Sequence, residues 1–198
     1  MAPQKRSFGY ATLRQTMTPG KQAVLDAVNS LEEVRDKPSL LEERKVALRL
    51  RMSEYESSKA DGVEDWEWHV PIMLGMGHGA LGNFPEAIRL VQSSLDAAGI
   101  SAQQTAISYN NLSDHYRRSG QIDDAVRAGQ QAFDLWPTHG GIVCNFAMAL
   151  ARSGKIETAA QIVDELVQNV DPSNRRSVIA AHIRNEVELQ EFLQMIGG

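Results

Sequence analysis

Apolar residues recur every three or four positions along most of the chain, which is the spacing of one face of an α-helix. The clearest runs are Ala125, Val126, Gly129, Ala132 and Phe133, followed by Ala159, Ile162, Val163 and Leu166. No segment shows the strict alternation of a half-buried strand, and Ala, Leu, Glu, Gln and Arg are frequent, all good helix formers. The pattern therefore predicts an all-α fold.

Small residues, glycines and prolines interrupt this helical pattern at regular intervals. Three segments share one skeleton: Leu74, Gly75, His78, Gly82, Ala87 and Ser94; Tyr109, Leu112, Ser113, Tyr116, Gly120, Ala125, Ala132 and Pro137; and Val143, Phe146, Ala147, Leu150, Gly154, Ala159, Leu166 and Pro172. The marker residues Ala125 and Ala159 lie 34 residues apart, and the interval from Ala87 to Ala125 is longer by a short insertion around Ala98–Ala102. Such a period indicates stacked helix pairs.

The shared positions have physical roles in a helix pair. A small residue (Gly75, Ser113 or Ala147) lets two antiparallel helices approach closely, and a glycine with positive φ (Gly82, Gly120 or Gly154) ends the first helix. A proline (Pro137 or Pro172) stops the second helix.

The segment from Tyr109 to Pro137 resembles the consensus of the tetratricopeptide-repeat family, and the resemblance extends over residues 68–172, about half of the chain. It implies a right-handed superhelix of antiparallel helix pairs, with three repeats at about 68–101, 106–139 and 140–173 within residues 64–172. This scaffold hosts many roles, so the resemblance favours a fold more strongly than a function.

The flanks are predicted from local patterns. Residues 1–17 read as a basic flexible tail, and residues 18–60 as an N-terminal helical hairpin, for which a degenerate repeat is one interpretation. Residues 173–198 read as a single C-terminal capping helix with an apolar face that includes Val178, Ile183 and Phe192. A half-exposed apolar face there would instead indicate dimerisation.

Charge and composition narrow the function classes. The net charge is −5, yet the first 21 residues contain Lys5, Arg6, Arg14 and Lys21 and no acid, so the body is more acidic than the total suggests. An acidic body argues against nucleic-acid binding, and the basic arm reads as a solvated tail. No apolar stretch is long enough for a membrane span, and no apolar segment of a cleaved signal follows the basic residues. We expect a cytoplasmic protein by default.

One glycine motif could indicate a cofactor. The segment Gly77–Gly82 matches G-x-G-x-x-G, but a dinucleotide site requires a preceding strand within a parallel sheet, and Pro71 argues against a central strand. We expect no cofactor. Gly77 and Gly79 are costly inside a helix, so they either leave room for a closely approaching ligand or loosen the helix.

Neither a metal site nor a catalytic site is expected. The five histidines do not cluster at ligand spacing, and His78 stands where the family has a core tyrosine, which favours a structural role. Cys144 is the only cysteine and has no basic neighbour in sequence that would activate it. No serine lies in a nucleophile-elbow pattern, so a non-enzymatic protein is predicted.

The resemblance implies a concave groove lined by the first helix of each pair. Its positions correspond here to Ile72, Met76, Gly79, Ala80, Asn110, Asp114, Arg117, Arg118, Cys144, Met148, Ala151 and Arg152. Methionines adapt to varied apolar side chains and arginines bind carboxylates, although the three arginines could equally be ordinary solvated helix-end residues. The carboxylate clamp of one family subtype is not expected, because Ile72, Met76, Gly141 and Asn145 replace the residues it needs.

The leading hypothesis is a protein-interaction module or adaptor that binds a partner protein, peptide or helix in the groove. The alternatives are a self-assembling scaffold, in which the N-terminal hairpin or the final helix forms a homo-oligomer, and a client chaperone like those of bacterial secretion systems, which have a similar architecture. A nucleotide-dependent enzyme at Gly77–Gly82 is the reading with least support.

Overall fold

The computed structural model describes residues 19–34, 37–57, 66–183 and 186–197, and all regular structure in these ranges is α-helical, with no strand. The basic tail predicted over residues 1–17 lies outside the described residues, as do residues 58–65. The helices, in chain order, are α1 Pro19–Glu32, α2 Pro38–Ser57, α3 Trp66–Ala80, α4 Phe84–Ser94, α5 Ala102–Arg118, α6 Ile122–Leu135, α7 Gly140–Arg152, α8 Ile156–Val170, α9 Arg175–Ala180 and α10 Glu186–Met195.

Consecutive helices form pairs, and the pairs stack in chain order. The pairs α3/α4, α5/α6 and α7/α8 lie in residues 64–172, where three repeats were predicted, and within the stack each pair packs against the next. Both helices of the α1/α2 hairpin contact α3, just as α5 and α6 both contact α7. The N-terminal hairpin therefore continues the stack in the manner of a further pair, and the all-α repeat prediction is confirmed.

The three marker glycines end the first helix of their pairs in the same way. Gly82, Gly120 and Gly154 have φ values of 80°, 84° and 86°, which lie in the left-handed region that favours glycine. In each turn the amide of the following residue donates back across the turn, as from Gln121 to the carbonyl of Tyr116 at 2.9 Å. This is the pattern of a Schellman cap, and it reverses the chain within a few residues.

Small residues bring the helices of a pair together. A β-carbon on Gly75 would lie 2.6 Å from a methyl group of Val91, so α3 and α4 could not keep this separation with a larger residue. In the second pair the hydroxyl of Ser113 donates to the carbonyl oxygen of Ala125 at 2.8 Å, which satisfies a buried polar group at the contact.

A buried polar chain links the first repeat to the second. The indole N–H of Trp68 donates to the hydroxyl of Ser108 at 2.9 Å, and this hydroxyl lies 2.8 Å from that of Ser94, which donates to the carbonyl of Val91. All three side chains are almost fully buried. Because each of these groups has a hydrogen-bond partner, this series of hydrogen bonds holds α3, α4 and α5 together and leaves no donor unsatisfied.

Pro38 opens α2, since the first helical position needs no amide donor. Two local expectations need correction. Lys21 is only 1% exposed within α1, so it does not belong to a solvated basic arm. The single C-terminal helix expected over 173–198 is two short helices, α9 and α10, and residues 181–183 between them are not helical.

Candidate functional site: the inner face of the helix stack

The predicted groove residues lie on the first helices of the three repeats. We use the name inner face for the side of α3, α5 and α7 that carries these positions. Helix α5 lies between the other two and contacts both, so the three helices do form one continuous face.

The α3 part of the inner face is largely closed. Ile72 is 1% exposed and packs in a core cluster with Val91 and Leu112, so it does not line an open groove. Gly79 is also buried, whereas Met76 and Ala80 are only half-buried. Met76 and Ala80 also pack against the core cluster that α3 forms with α1 and α2, and each keeps part of its surface exposed.

The two unexplained glycines of α3 make room for other helices of the same chain. A β-carbon on Gly79 would collide with the imidazole ring of His115 on α5, and one on Gly77 would collide with the thioether of Met52 on α2. Helix packing therefore explains both glycines, and neither is needed for the approach of a ligand. The segment Gly77–Gly82 begins inside a helix, so the preceding strand that a dinucleotide site requires is absent from this part of the structure.

A charged cluster occupies the α5 part. Arg117 donates to the carboxylate of Asp114 at 2.6 Å, and Arg118 lies 3.5 Å from the same carboxylate. Burial disfavours the ionised form of Asp114, but the two guanidinium groups outweigh this and hold the pKa of Asp114 well below its usual range. The Arg117 side chain is only 6% exposed, so it is not the solvated helix-end residue that the sequence left open.

His115 lies beside this cluster and was not singled out by sequence. It is 3% exposed, and neither ring nitrogen has a hydrogen-bond partner among the described residues. Burial, with a further contribution from the charge of Arg118, lowers the pKa of His115 to about 4, although Asp114 acts in the opposite direction. A neutral imidazole against Gly79 is a packing element between α3 and α5.

The α7 part of the inner face is covered by the C-terminal helices. Cys144 and Met148 are 1% and 5% exposed and belong to a core cluster with Ile179 of α9 and Leu189 and Phe192 of α10. They do not line an open groove in this arrangement. Burial raises the pKa of the Cys144 thiol to about 12, so this thiol is a poor nucleophile.

Helix α10 extends from this cluster towards α5 and carries two ion pairs. Glu188 lies 3.6 Å from the guanidinium of Arg117, and Glu191 accepts a hydrogen bond from Arg152 at 2.6 Å. Two of the three arginines expected to bind a partner's carboxylate are thus paired with glutamates of the same chain. Sequence reasoning identified the apolar side of this segment but missed its acidic side, because nothing in the local pattern shows which helix it faces.

A polar section of the inner face remains partly open between α3 and α7. Asn110 and Asn145 are half-buried and share a hydrogen bond of 3.0 Å, and Asp114 and Arg118 flank them along α5. The guanidinium of Arg118 also lies 5.4 Å from the ring centroid of Phe84, which helps to fix its position. Together with Met76 and Ala80, these side chains form a mixed polar and apolar surface that α10 does not cover completely.

Other kinds of site find no support in the described ranges. No three His, Cys, Asp or Glu side chains there come together in a way that could hold a metal ion. None of the helices described combines the length and the hydropathy of a membrane span.

Stacked antiparallel helix pairs, each closed by a left-handed glycine and brought together by small residues, define an α-helical repeat protein. The comparison with protein families gives the same class a name. Residues 70–138 match the model of the tetratricopeptide repeat family, so this part of the chain carries tetratricopeptide repeats. The match spans the first two repeats described above, from within α3 to just beyond α6. No curated protein matches the chain.

Proposed function

We propose that this protein binds a partner protein, presented as a helix or an extended segment, on the inner face of its repeats. Tetratricopeptide repeats are in general protein-interaction modules and are typically not enzymes. The proposal rests on the binding of α10 to the surface of α5 and α7, which we call the seat of α10. The surface of α5 and α7 already accommodates an amphipathic helix through buried apolar side chains and two ion pairs.

The open section supplies suitable chemistry beside that seat. Met76 adapts its shape to different apolar side chains, and the paired amides of Asn110 and Asn145 can exchange hydrogen bonds with a backbone or a polar side chain. Arg118 adds a guanidinium beside them that is paired with Asp114 and 11% exposed at the side-chain level.

The test is affinity capture of partners from native cells with the full chain and two matched variants. Arg118→Gln removes a charge from the inner face, and Arg127→Gln removes one from α6 outside it. Both arginines pair with an aspartate on their own helix, Asp114 and Asp124 respectively. We expect a specific partner to be retained by the wild type and by Arg127→Gln but weakened by Arg118→Gln. Equal capture by all three chains, with unchanged circular dichroism, would contradict the proposal that the partner binds on the inner face.

Charge reversal at Arg117 is a poor alternative for this experiment. Its side chain is buried between Asp114 and Glu188, so a glutamate there would place three carboxylates together and disturb the fold. A loss of partner with that variant would not separate binding from unfolding.

A second candidate function is self-association through α2. Val46 and Leu50 of this helix are 62% and 55% exposed, although Leu48 and Met52 on its other side are buried. An exposed apolar strip of this kind is typical of a surface that contacts another chain. Sedimentation velocity should show a concentration-dependent dimer that Leu50→Lys abolishes, and a wild-type chain that stays monomeric at high concentration would reject this candidate.

A further inference from the structure

The apolar and acidic positions of α10 form one coherent recognition pattern. Leu189, Phe192, Leu193 and Ile196 are all buried and follow the i, i+3, i+4, i+7 spacing of one helix face. Glu188 and Glu191 are three residues apart and therefore lie on adjoining positions of the same helix. This arrangement is that of an acidic amphipathic helix seated on a surface that carries arginines.

One contact in the attachment of α10 is exposed to solvent. The helix has ten residues, and its ion pair between Glu191 and Arg152 joins two side chains that are about half exposed, at 50% and 45%. An isolated helix of this length is marginal in water, so α10 depends on its contacts with the inner face. A half-exposed ion pair changes an equilibrium by about fivefold at most. The seat of α10 can therefore be weakened by a small change on α10 alone.

We propose that α10 is a built-in competitor, and that the partner of the inner face is an acidic amphipathic helix with the pattern of α10, which displaces α10 from α5 and α7. This inference rests on the proposed function and names the partner class of the same site. The charge complementarity selects the occupant, since a partner must bring carboxylates to Arg117 and Arg152 in place of Glu188 and Glu191. A basic or uncharged helix would leave Arg152 without a carboxylate and Arg117 with Asp114 alone.

Substitutions on the two sides of this ion pair then have different effects on the binding of a partner. Glu191→Gln weakens only the internal competitor and leaves Arg152 free for the partner's carboxylate. Arg152→Gln removes the contact for both occupants. If α10 were merely a structural cap, neither substitution would change the binding of a helix in trans, because no such binding would occur.

The probe is a labelled synthetic peptide with the sequence of residues 184–198, and its binding to the full-length chain is followed by fluorescence anisotropy. We expect saturable binding, several-fold tighter to Glu191→Gln than to the wild type and little changed by Arg152→Gln, which weakens α10 and the peptide alike. A control peptide with glutamine at the positions of Glu188 and Glu191 should bind several-fold more weakly. A peptide that binds no chain at millimolar concentration, or binds as well as its glutamine control, overturns the inference.

The sole cysteine gives an independent readout of α10. Cys144 lies in the cluster that α10 helps to cover, so reaction with a maleimide or a disulfide reagent requires opening of this region. Labelling should be several-fold faster in Glu191→Gln than in the wild type, and the peptide should slow it. The matched control is Glu165→Gln on α8, an exposed glutamate outside the α10 contact, which should label like the wild type. Equal labelling rates in Glu191→Gln and the wild type would overturn the inference.

The outcome separates this inference from the proposed function. The peptide assays involve no native partner, whereas the capture experiment with Arg118→Gln involves no change in α10. If the peptide does not bind, the hypothesis that α10 is a competitor is rejected, even if capture of a partner depends on Arg118. If all three chains capture partners equally, the proposed binding site in the open section is rejected.

Discussion

Acidification should destabilise the protein through His115 before its carboxylates are protonated. The pKa of this imidazole is lowered from 6.5 to about 4, chiefly by burial, whereas the unfolded chain retains the ordinary value. Between these two pH values the unfolded state binds a proton that the folded state does not bind. The free energy of unfolding therefore falls as the pH drops from about 6.5 to about 4, and the His115 contribution is flat below that. The difference between the two pKa values corresponds to about 3 kcal/mol in the free energy of unfolding.

The assay is urea unfolding followed by circular dichroism at pH 7 and at pH 4.5, with the wild type and His115→Leu. Leucine has a similar volume and cannot titrate, so this variant should lose about 2 to 3 kcal/mol less between the two pH values. Burial lowers the pKa of His182 to about 4 as well, with His139 acting in the same direction. His182→Gln should therefore remove a separate part of the pH dependence.

Two results would refute this reasoning. An identical pH dependence for the wild type and His115→Leu would mean that the buried imidazole does not titrate as described. A large loss of stability of the variant at pH 7 would mean that the ring nitrogens have an essential partner. Because neither nitrogen is hydrogen-bonded in the described part of the chain, we expect His115→Leu to be at least as stable as the wild type at pH 7.

Three further substitutions test the packing of the stack by denaturant unfolding. Gly120→Ala should destabilise by about 1 kcal/mol, because φ is 84° there and no atom lies close enough to clash; an unchanged midpoint would contradict the left-handed turn. Ser108→Ala should cost about 1 to 3 kcal/mol by leaving the indole N–H of Trp68 without its acceptor, and a neutral result would show that this link is dispensable. Arg117→Met should cost about 3 kcal/mol because Asp114 loses its nearest cation, and partial recovery at a pH that protonates carboxylates would support this cause.

The repeat could be predicted from sequence because its determinants are local and periodic. A left-handed glycine in a turn shows itself by residue type and spacing, so Gly82, Gly120 and Gly154 fixed the three repeats. The same repeat spacing predicted that the small residues Gly75 and Ser113 lie where two helices approach closely. The N-terminal hairpin was also predictable, since its apolar spacing alone indicates two helices.

The candidate site was predictable only in part, because it depends on contacts between distant helices. The repeat spacing predicted that the groove positions share one face. No local signal in the sequence shows that Glu188 of α10 forms an ion pair with Arg117 of α5. The end of α9 was missed for a related reason. Residues 181–183 are Ala, His and Ile, which contain no glycine or proline to mark a break in the apolar pattern. The glycines of α3 were noticed, but the side chains that fill their space, Met52 and His115, come from other helices.

The position of α10 relative to the open section divides partners into two kinds. A partner that contacts only Met76, Asn110 and Arg118 leaves α10 in place, so its affinity should be the same for the wild type and Glu191→Gln. A partner that also reaches Arg152 must displace α10, and its affinity should rise in that variant. Measuring any captured partner against this one pair of chains therefore shows how far along the inner face it extends. A partner whose affinity falls in Glu191→Gln would fit neither geometry and would mean that α10 itself forms part of the binding surface.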